Sequence, residues 1–202
     1  MPLQLSPASR KYMLILHLVC SIGWLGSVAA FLTLAAMALK SNDNQQVASF
    51  YIAMWPIGWY VIVPLSIGAL VSGIIQSLGT PWGLFRYYWV SIKLLLTVLG
   101  TGLLLVHMKY IRQLTTAAAA NIIHKDVFQQ LRIQVFGEAG AALVLLVALT
   151  MVSVIKPWGK IKVIPGNNAW KYLLMGLILL VSVFIILHLT GGGMHIHGPS
   201  HQ

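Results

Sequence analysis

Charge is what this sequence has least of, and acidic charge above all. Its 202 residues include 13 Lys and Arg but only three Asp and Glu, so 8% of the chain is charged, whereas soluble domains average about 25%. Hydrophobic residues make up 58% of the chain. So few charges cannot cover the surface of a soluble domain. A disordered chain is excluded as well, because disorder requires low hydrophobicity and high charge.

Cysteine is nearly absent too. A single residue, Cys20, excludes a scaffold held by disulfides. The basic residues, which bring the net charge to +10, do not form one face, so binding to nucleic acid is not expected. The class that remains is a protein that crosses the lipid bilayer several times.

Long apolar segments are what the sequence has in abundance. Five of them reach the length of about 20 residues that a helix needs to cross a bilayer: 12–39, 57–78, 87–108, 133–155 and 172–190. They predict an all-α polytopic membrane helix bundle of about five transmembrane helices. We expect one domain over 1–190 and a glycine-rich, His-containing tail over 191–202 that is flexible.

The distribution of Lys and Arg predicts the orientation of the chain. With the N-terminus inside, seven of these residues flank the inner side of the membrane and five flank the outer side. By the positive-inside rule this excess favours an N-terminus inside and a C-terminus outside.

Five ionisable residues fall within the predicted spans, where each costs several kcal/mol unless it is paired or hydrated. They are His17, Lys93, His107, Glu138 and His188. At ~1.5 Å per residue, they form an inner group of two and an outer group of three, with His17 and His107 ~26 Å apart along the membrane normal. As an alternative to a functional role, each of these side chains extends to the membrane interface or makes a hydrogen bond that is only structural.

Two spans carry a polar or small stripe along one helical face, which is typical of a bundle interior. In the third span the stripe consists of Lys93, Thr97, Gly100, Leu104 and His107. In the first span it consists of His17, Ser21 and Trp24.

Histidines on different helices of a bundle are suited to hold haem. Since His107 and His188 lie at equal depth, they are the first candidate ligand pair for haem b, with Glu138 orienting an imidazole. His17 with Lys93 is the second candidate. A divalent metal held by His107, Glu138 and His188 is an alternative. The candidate catalytic residues are Lys93 and Glu138.

The C-terminal tail contains a second kind of candidate site. Met194, His195 and His197 are soft or borderline ligands that suit copper. The alternative is a tail whose histidines bind nothing.

Several short motifs resemble known membrane proteins. His17-x6-Trp24-x-Gly26 is similar to the opening helix of the copper-resistance D proteins and the HemJ-type protoporphyrinogen IX oxidases, and Trp89-x3-Lys93-Leu94 with a later His107 is similar to another of their helices. The chain most resembles a related family of predicted bacterial integral membrane proteins of unknown function. The motifs that carry this likeness are Gly79-Thr80-Pro81-Trp82-Gly83-Leu84-Phe85-Arg86, Lys156-Pro157-x-Gly159 and His188-Leu189-Thr190-Gly191-Gly192-Gly193.

The resemblance implies a haem or porphyrin role for His17 and Lys93, and a bacterial cytoplasmic membrane as the location. It also shows a departure, because this chain has Glu138-Ala139-Gly140 where the family pattern has a His-Ala-Gly-like start to its fourth span.

The function expected from the sequence is that of a membrane haem protein similar to a small b-type cytochrome. Such a protein exchanges electrons with a quinone or another redox partner, or takes part in porphyrin-linked oxidoreductase chemistry. One alternative is a copper or haem binding or transport protein without catalysis, and another is a structural or assembly subunit.

Overall fold

The computed structural model of the protein describes residues 5–80, 84–124 and 126–155, all of which belong to one compact unit, Met1–Lys160. Five α-helices make up most of these residues: α1 (Pro7–Lys40), α2 (Asn44–Ile57), α3 (Val63–Leu78), α4 (Tyr88–Ala119) and α5 (Gln129–Ile155). No strand occurs in the described ranges. The predicted all-α bundle is therefore confirmed for this part of the chain.

Four stretches of helix are long and apolar enough to cross a membrane: Pro7–Lys40, Asn44–Leu78, Tyr88–Ala119 and Asp126–Ile155. They contain the first four of the five predicted spans, and the protein is therefore a multi-pass membrane protein. The fifth predicted span, 172–190, and the predicted tail, 191–202, lie outside the described residues.

The first two helices begin at residues whose side chains satisfy free backbone groups. Ser6 precedes α1 and accepts a hydrogen bond from the amide of Ser9 at 3.2 Å, with a proline in the first turn. Asp43 plays the same part for α2, accepting from the amide of Gln45 at 2.9 Å. The second helix therefore starts in the polar segment between the predicted spans 12–39 and 57–78.

The end of α4 lies well beyond the predicted span, which stops at residue 108. The helix ends at Ala119, because Asn121 adopts a left-handed conformation with φ of 54°. The amide of Ile122 bonds to the carbonyl of Ala117, and that of Asn121 to the carbonyl of Ala118. These two bonds form a Schellman motif, in which asparagine is a common substitute for glycine.

The second membrane segment is one continuous helix with a wide turn inside it. A π-helical turn, Gly58–Ile62, joins α2 to α3 and is flanked by Pro56 and Pro64. Proline lacks the N–H group that an α-helix needs, so the hydrogen bonds around these two residues cannot follow the α pattern. Only three residues separate α1 from α2, so the two helices run antiparallel.

The described helices form an antiparallel bundle with two distinct ends. The N-terminal end contains the first residues of α1 and α4 and the last residues of α3 and α5. The opposite end contains the last residues of α1 and α4 and the first residues of α2 and α5. In the bundle α1 packs against α2, α3 and α5, while α4 packs against α2, α3 and α5.

The tightest packing lies at the opposite end. Several large side chains are there less than 2% exposed: Tyr51, Met54, Ile111, Leu114, Ile123 and Val135. The surface along the membrane-crossing length, by contrast, is rich in exposed apolar side chains such as Ile15, Val19 and Val144. Such a surface is expected where helices face lipid.

Candidate functional site

His17 lies inside the bundle, on the side of α1 that faces α3. Its Nδ1 is 3.0 Å from the carbonyl oxygen of Ala69 and 3.1 Å from the hydroxyl of Ser72. A carbonyl oxygen can only accept, so Nδ1 carries the proton and Nε2 is left with a free lone pair. Fixing one ring nitrogen in this way orients an imidazole for work at the other nitrogen.

Gly73 makes the room that the imidazole needs. A methyl group in place of its hydrogen would lie 3.1 Å from Cε1 of His17, closer than ordinary packing allows. The small residues of α3 therefore admit the imidazole between the two helices, one turn from the Ala69 carbonyl that orients it.

Lys93, on α4, lies beside the free nitrogen of His17. Its Nζ is 3.3 Å from Nε2 of the imidazole, and Lys93 is the donor in this hydrogen bond. The sequence predicted these two residues as the inner group, and this pairing is confirmed. Their cofactor-binding and catalytic roles stay predictions.

Both side chains line a cleft of about 410 Å³ near the N-terminal end. Its lining residues come from α1, α3, α4 and α5 and from Thr80 just after α3. The apolar lining includes Leu14, Leu18, Leu70 and Leu94. The polar lining includes His17, Gln76, Ser77, Thr80, Trp89 and Lys93.

The stripes predicted on the first and third spans face each other. One end of the contact is the His17–Lys93 hydrogen bond. Two turns further along, the indole of Trp24 packs over Gly100, where a methyl group would lie 3.6 Å from the indole ring. Thr97, between them on α4, is buried and donates to the carbonyl of Lys93. The prediction that these stripes line the bundle interior is confirmed.

A second polar pair joins α4 to α5. Nδ1 of His107 is hydrogen-bonded to one carboxylate oxygen of Glu138. The other carboxylate oxygen accepts a hydrogen bond from the side-chain amide of Gln134 at 2.7 Å. The side chain of His107 is 12% exposed. The rings of Phe31 and Tyr110 lie edge-on to it, with centroids 6.5 Å and 6.3 Å away. The predicted contact between His107 and Glu138 is confirmed.

The geometry of this pair can be compared with the two predicted uses of His107, as a haem ligand oriented by Glu138 and as a metal ligand beside Glu138. Since Glu138 contacts Nδ1, it orients the imidazole and leaves Nε2 as the nitrogen that could bind a ligand. Nε2 of His107 is buried and has no hydrogen-bond partner among the described residues. Within the described ranges, no group of three or more His, Cys, Asp or Glu is arranged to hold a metal ion.

The two pairs are far apart along the bundle. Lys93 and His107 are 14 residues apart on α4, which corresponds to ~21 Å of helix. Because His17 is in contact with Lys93, His17 and His107 cannot bind opposite faces of one haem. They are two separate candidate sites, as the sequence predicted.

Four of the candidate residues cannot be compared with the structure. His188, Met194, His195 and His197 lie outside the described residues. The His107–His188 haem pair and the copper site of the tail therefore remain predictions.

Some residues that shape the inner site were missed in the sequence. Ala69 and Ser72 fix the imidazole of His17, and Gln76 and Thr80 line the cleft. The signal for part of this set was a helical stripe of small and polar residues along the second span, formed by Ser66, Ala69, Ser72, Gly73 and Gln76. The carbonyl of Ala69 carried no signal, since every residue has one.

Comparison of the chain with protein-family models, with curated proteins and with solved structures finds no match. The two polar sites are therefore interpreted from their own geometry and chemistry.

Proposed function

We propose that this protein binds haem b within the membrane, in the cleft of His17 and Lys93, and that it works as a small b-type cytochrome. In this role it exchanges electrons with a quinone or another redox partner. The observation that carries the proposal is the imidazole of His17, whose Nδ1 is held by Ala69 and whose Nε2 faces a cleft inside the bundle. A neutral imidazole oriented in this way is a common ligand of haem iron.

The residues of the cleft fit such a cofactor. Leucines from α1, α3 and α4 form apolar walls of the kind that a macrocycle packs against, and polar side chains such as Gln76 and Lys93 complete the lining. His17 is the residue that would hold the iron. Haem supplies one-electron redox chemistry, and the bundle contributes the ligand, the apolar surroundings and the exclusion of water, which together set the potential.

The resemblance to the HemJ-type oxidases supports the same site, since it assigns a haem or porphyrin role to His17 and Lys93. His107 is a second candidate ligand, because Glu138 orients it and its Nε2 is buried without a partner among the described residues. At ~21 Å from the first site along the bundle, it would serve a separate cofactor.

Absorbance spectroscopy of the purified full-length protein, expressed with ample haem, tests the proposal. We expect a Soret band at about one haem per chain or more, and reduced-minus-oxidised difference bands typical of a b-type haem. His17→Ala should lose the haem of the inner cleft. His124→Ala is the matched control, because His124 is exposed in the turn after α4 and should leave the spectrum unchanged.

Two results would contradict the proposal. One is wild-type protein that is folded but shows no Soret band. The other is a His17→Ala variant that keeps the full haem content of the wild type. A band that is lost in His107→Ala and kept in His17→Ala would move the cofactor to the second site.

A further inference from the structure

We infer that the ligand of the His17–Lys93 cleft is an anionic amphiphile, and that Lys93 binds its acid group while the apolar walls hold its body. The inference rests on the proposed function, in which the cleft takes a ligand, and adds the chemical class that this ligand must have. It follows from the charges of the whole chain and from the polar atoms of the cleft.

No acidic side chain lies beside Lys93 in the described part of the chain. The chain contains only three acidic side chains, Asp43, Asp126 and Glu138. Asp43 begins α2, Asp126 precedes α5, and Glu138 is bonded to His107 and Gln134. All three belong to the opposite end of the bundle, whereas Lys93 lies near the start of α4. A cation within a membrane segment is costly unless a counter-charge is present, so a ligand has to supply one.

The neighbouring imidazole cannot satisfy Lys93 and hold a ligand at the same time. Nε2 of His17 has one lone pair, and at present it accepts the hydrogen bond from Lys93 at 3.3 Å. If Nε2 bound a metal centre, the ammonium group would lose its acceptor. A ligand that carries its own acid group replaces that acceptor, so the two residues are satisfied together.

The rim of the cleft carries further donors for an acid group. Gln76, Ser77 and Thr80 lie at and just beyond the end of α3 and line the cleft with Lys93. The hydroxyl of Thr80 is buried and has no hydrogen-bond partner among the described residues. A buried hydroxyl without a partner is costly, and an acid oxygen in the cleft would satisfy it.

Most of the remaining lining is apolar. Leu14, Leu18, Leu70 and Leu94 face the cleft from three helices. This division suits a molecule that has an acid group at one edge and an apolar body. Both a tetrapyrrole with carboxylates and a lipid with a phosphate headgroup have this chemistry.

A comparison of haemin with its dimethyl ester tests the inference, because the ester has the same macrocycle but no acid group. Binding to the purified full-length protein is measured by absorbance titration. We expect the wild type to bind haemin about tenfold or more tightly than the ester, since a hydrogen bond between charged groups contributes about 1.5–3 kcal/mol. Lys93→Gln should abolish this preference and Lys93→Arg should keep most of it.

Lys109→Gln is the matched control, because Lys109 is an exposed lysine on the same helix. Circular dichroism and the melting temperature show whether each variant is folded. If Lys93→Gln does not fold, the wild type and Lys93→Arg still decide the question, since both must discriminate between haemin and its ester.

Equal affinity of the wild type for haemin and the ester overturns the inference and leaves the proposed function standing. If the wild type binds neither haemin nor the ester, the proposed function is contradicted. A test with lipids then decides whether the cleft takes an anionic amphiphile. Native mass spectrometry of protein from vesicles of phosphatidylglycerol and phosphatidylcholine should show retained phosphatidylglycerol in the wild type and Lys109→Gln, and loss of it in Lys93→Gln. Equal retention of both lipids by the wild type and by Lys93→Gln overturns the inference in that case too.

Discussion

A single histidine shows how much of a membrane site depends on its partners. His17 is recognisable in the sequence because an imidazole in an apolar span is costly. What it can do is decided by Ala69, whose carbonyl holds Nδ1 and leaves Nε2 towards Lys93. That carbonyl is 52 residues away in the chain, and only the packing of α1 on α3 brings it close.

Arg132 is the residue whose surroundings differ most from the expectation. It lies between the predicted spans 87–108 and 133–155, where exposed side chains are usual, yet it is 9% exposed. Its guanidinium donates to the carbonyl of Ala38 at 2.6 Å and lies 5.9 Å from the ring centroid of Tyr51. Ala38 is in the last turn of α1, where a positive charge is favourable. Arg132 therefore ties the start of α5 to the end of α1.

The hydrogen bond between His107 and Glu138 should stabilise the contact of α4 with α5. A double-mutant cycle of His107→Ala and Glu138→Ala in detergent should give a coupling energy of about 1–3 kcal/mol, because a charged group is bonded in a largely buried place. The measurement is the free energy of unfolding of the full-length protein.

His124→Ala combined with Glu138→Ala is the control cycle. His124 is exposed in the turn after α4, whereas the bonds of Glu138 are to His107 and Gln134, so the two effects should add within about 0.5 kcal/mol. A coupling in the His107 cycle no larger than in the control would show that the bond contributes nothing to stability.

Helix length is a property of elements that hydropathy does not reveal. The apolar pattern marks the part of each helix that matches the membrane, but α4 continues for 11 residues past Met108 and α2 starts 13 residues before Ile57. These extensions end at capping residues rather than at changes of hydrophobicity. Asp43 and Asn121 are such residues, and their role becomes visible once the backbone around them is known.

Small residues set the distance between α1 and α3. A methyl group on Gly68 would lie 2.8 Å from Sγ of Cys20. Gly68→Ala should therefore lower the stability by about 1–3 kcal/mol through overpacking. The melting temperature of the purified protein in detergent measures the change.

Gly26→Ala is the matched control, since nothing lies within 4 Å of a methyl group added at Gly26. Because alanine has the higher helix propensity, this variant should be unchanged or more stable by up to about 1 kcal/mol. Adding Cys20→Ala to Gly68→Ala should restore part of the lost stability. If Gly68→Ala melts no lower than Gly26→Ala, the close contact does not limit helix packing.

The described bundle as a whole is asymmetric. Its opposite end holds all three acidic side chains and several fully buried large side chains, including Tyr51 and Leu114. Its N-terminal end holds the cleft with Lys93. The end that is stabilised by dense packing is thus distinct from the end that offers room for a ligand.

The orientation of this asymmetric bundle in the membrane is open to a direct test. In a Cys20→Ala background, Asn42→Cys and Ala8→Cys place single exposed thiols at the two ends of α1. With the N-terminus inside, a membrane-impermeant maleimide should label Asn42→Cys in intact bacterial cells and Ala8→Cys only after permeabilisation. The reason for this expectation is the excess of Lys and Arg, seven against five, that the five predicted spans place on the N-terminal side. The reverse labelling pattern would contradict this orientation.

The sequence by itself determined that the protein is a helical membrane protein, and it singled out the ionisable residues within the spans. Both follow from the cost of charge in a bilayer, which composition and hydropathy record directly. Tertiary structure alone decided that Ala69 orients His17, that Arg132 is buried against the end of α1, and that four helices line a cleft beside Lys93. These features depend on backbone carbonyls and on the shape between packed helices, and neither has a signature in the order of the residues.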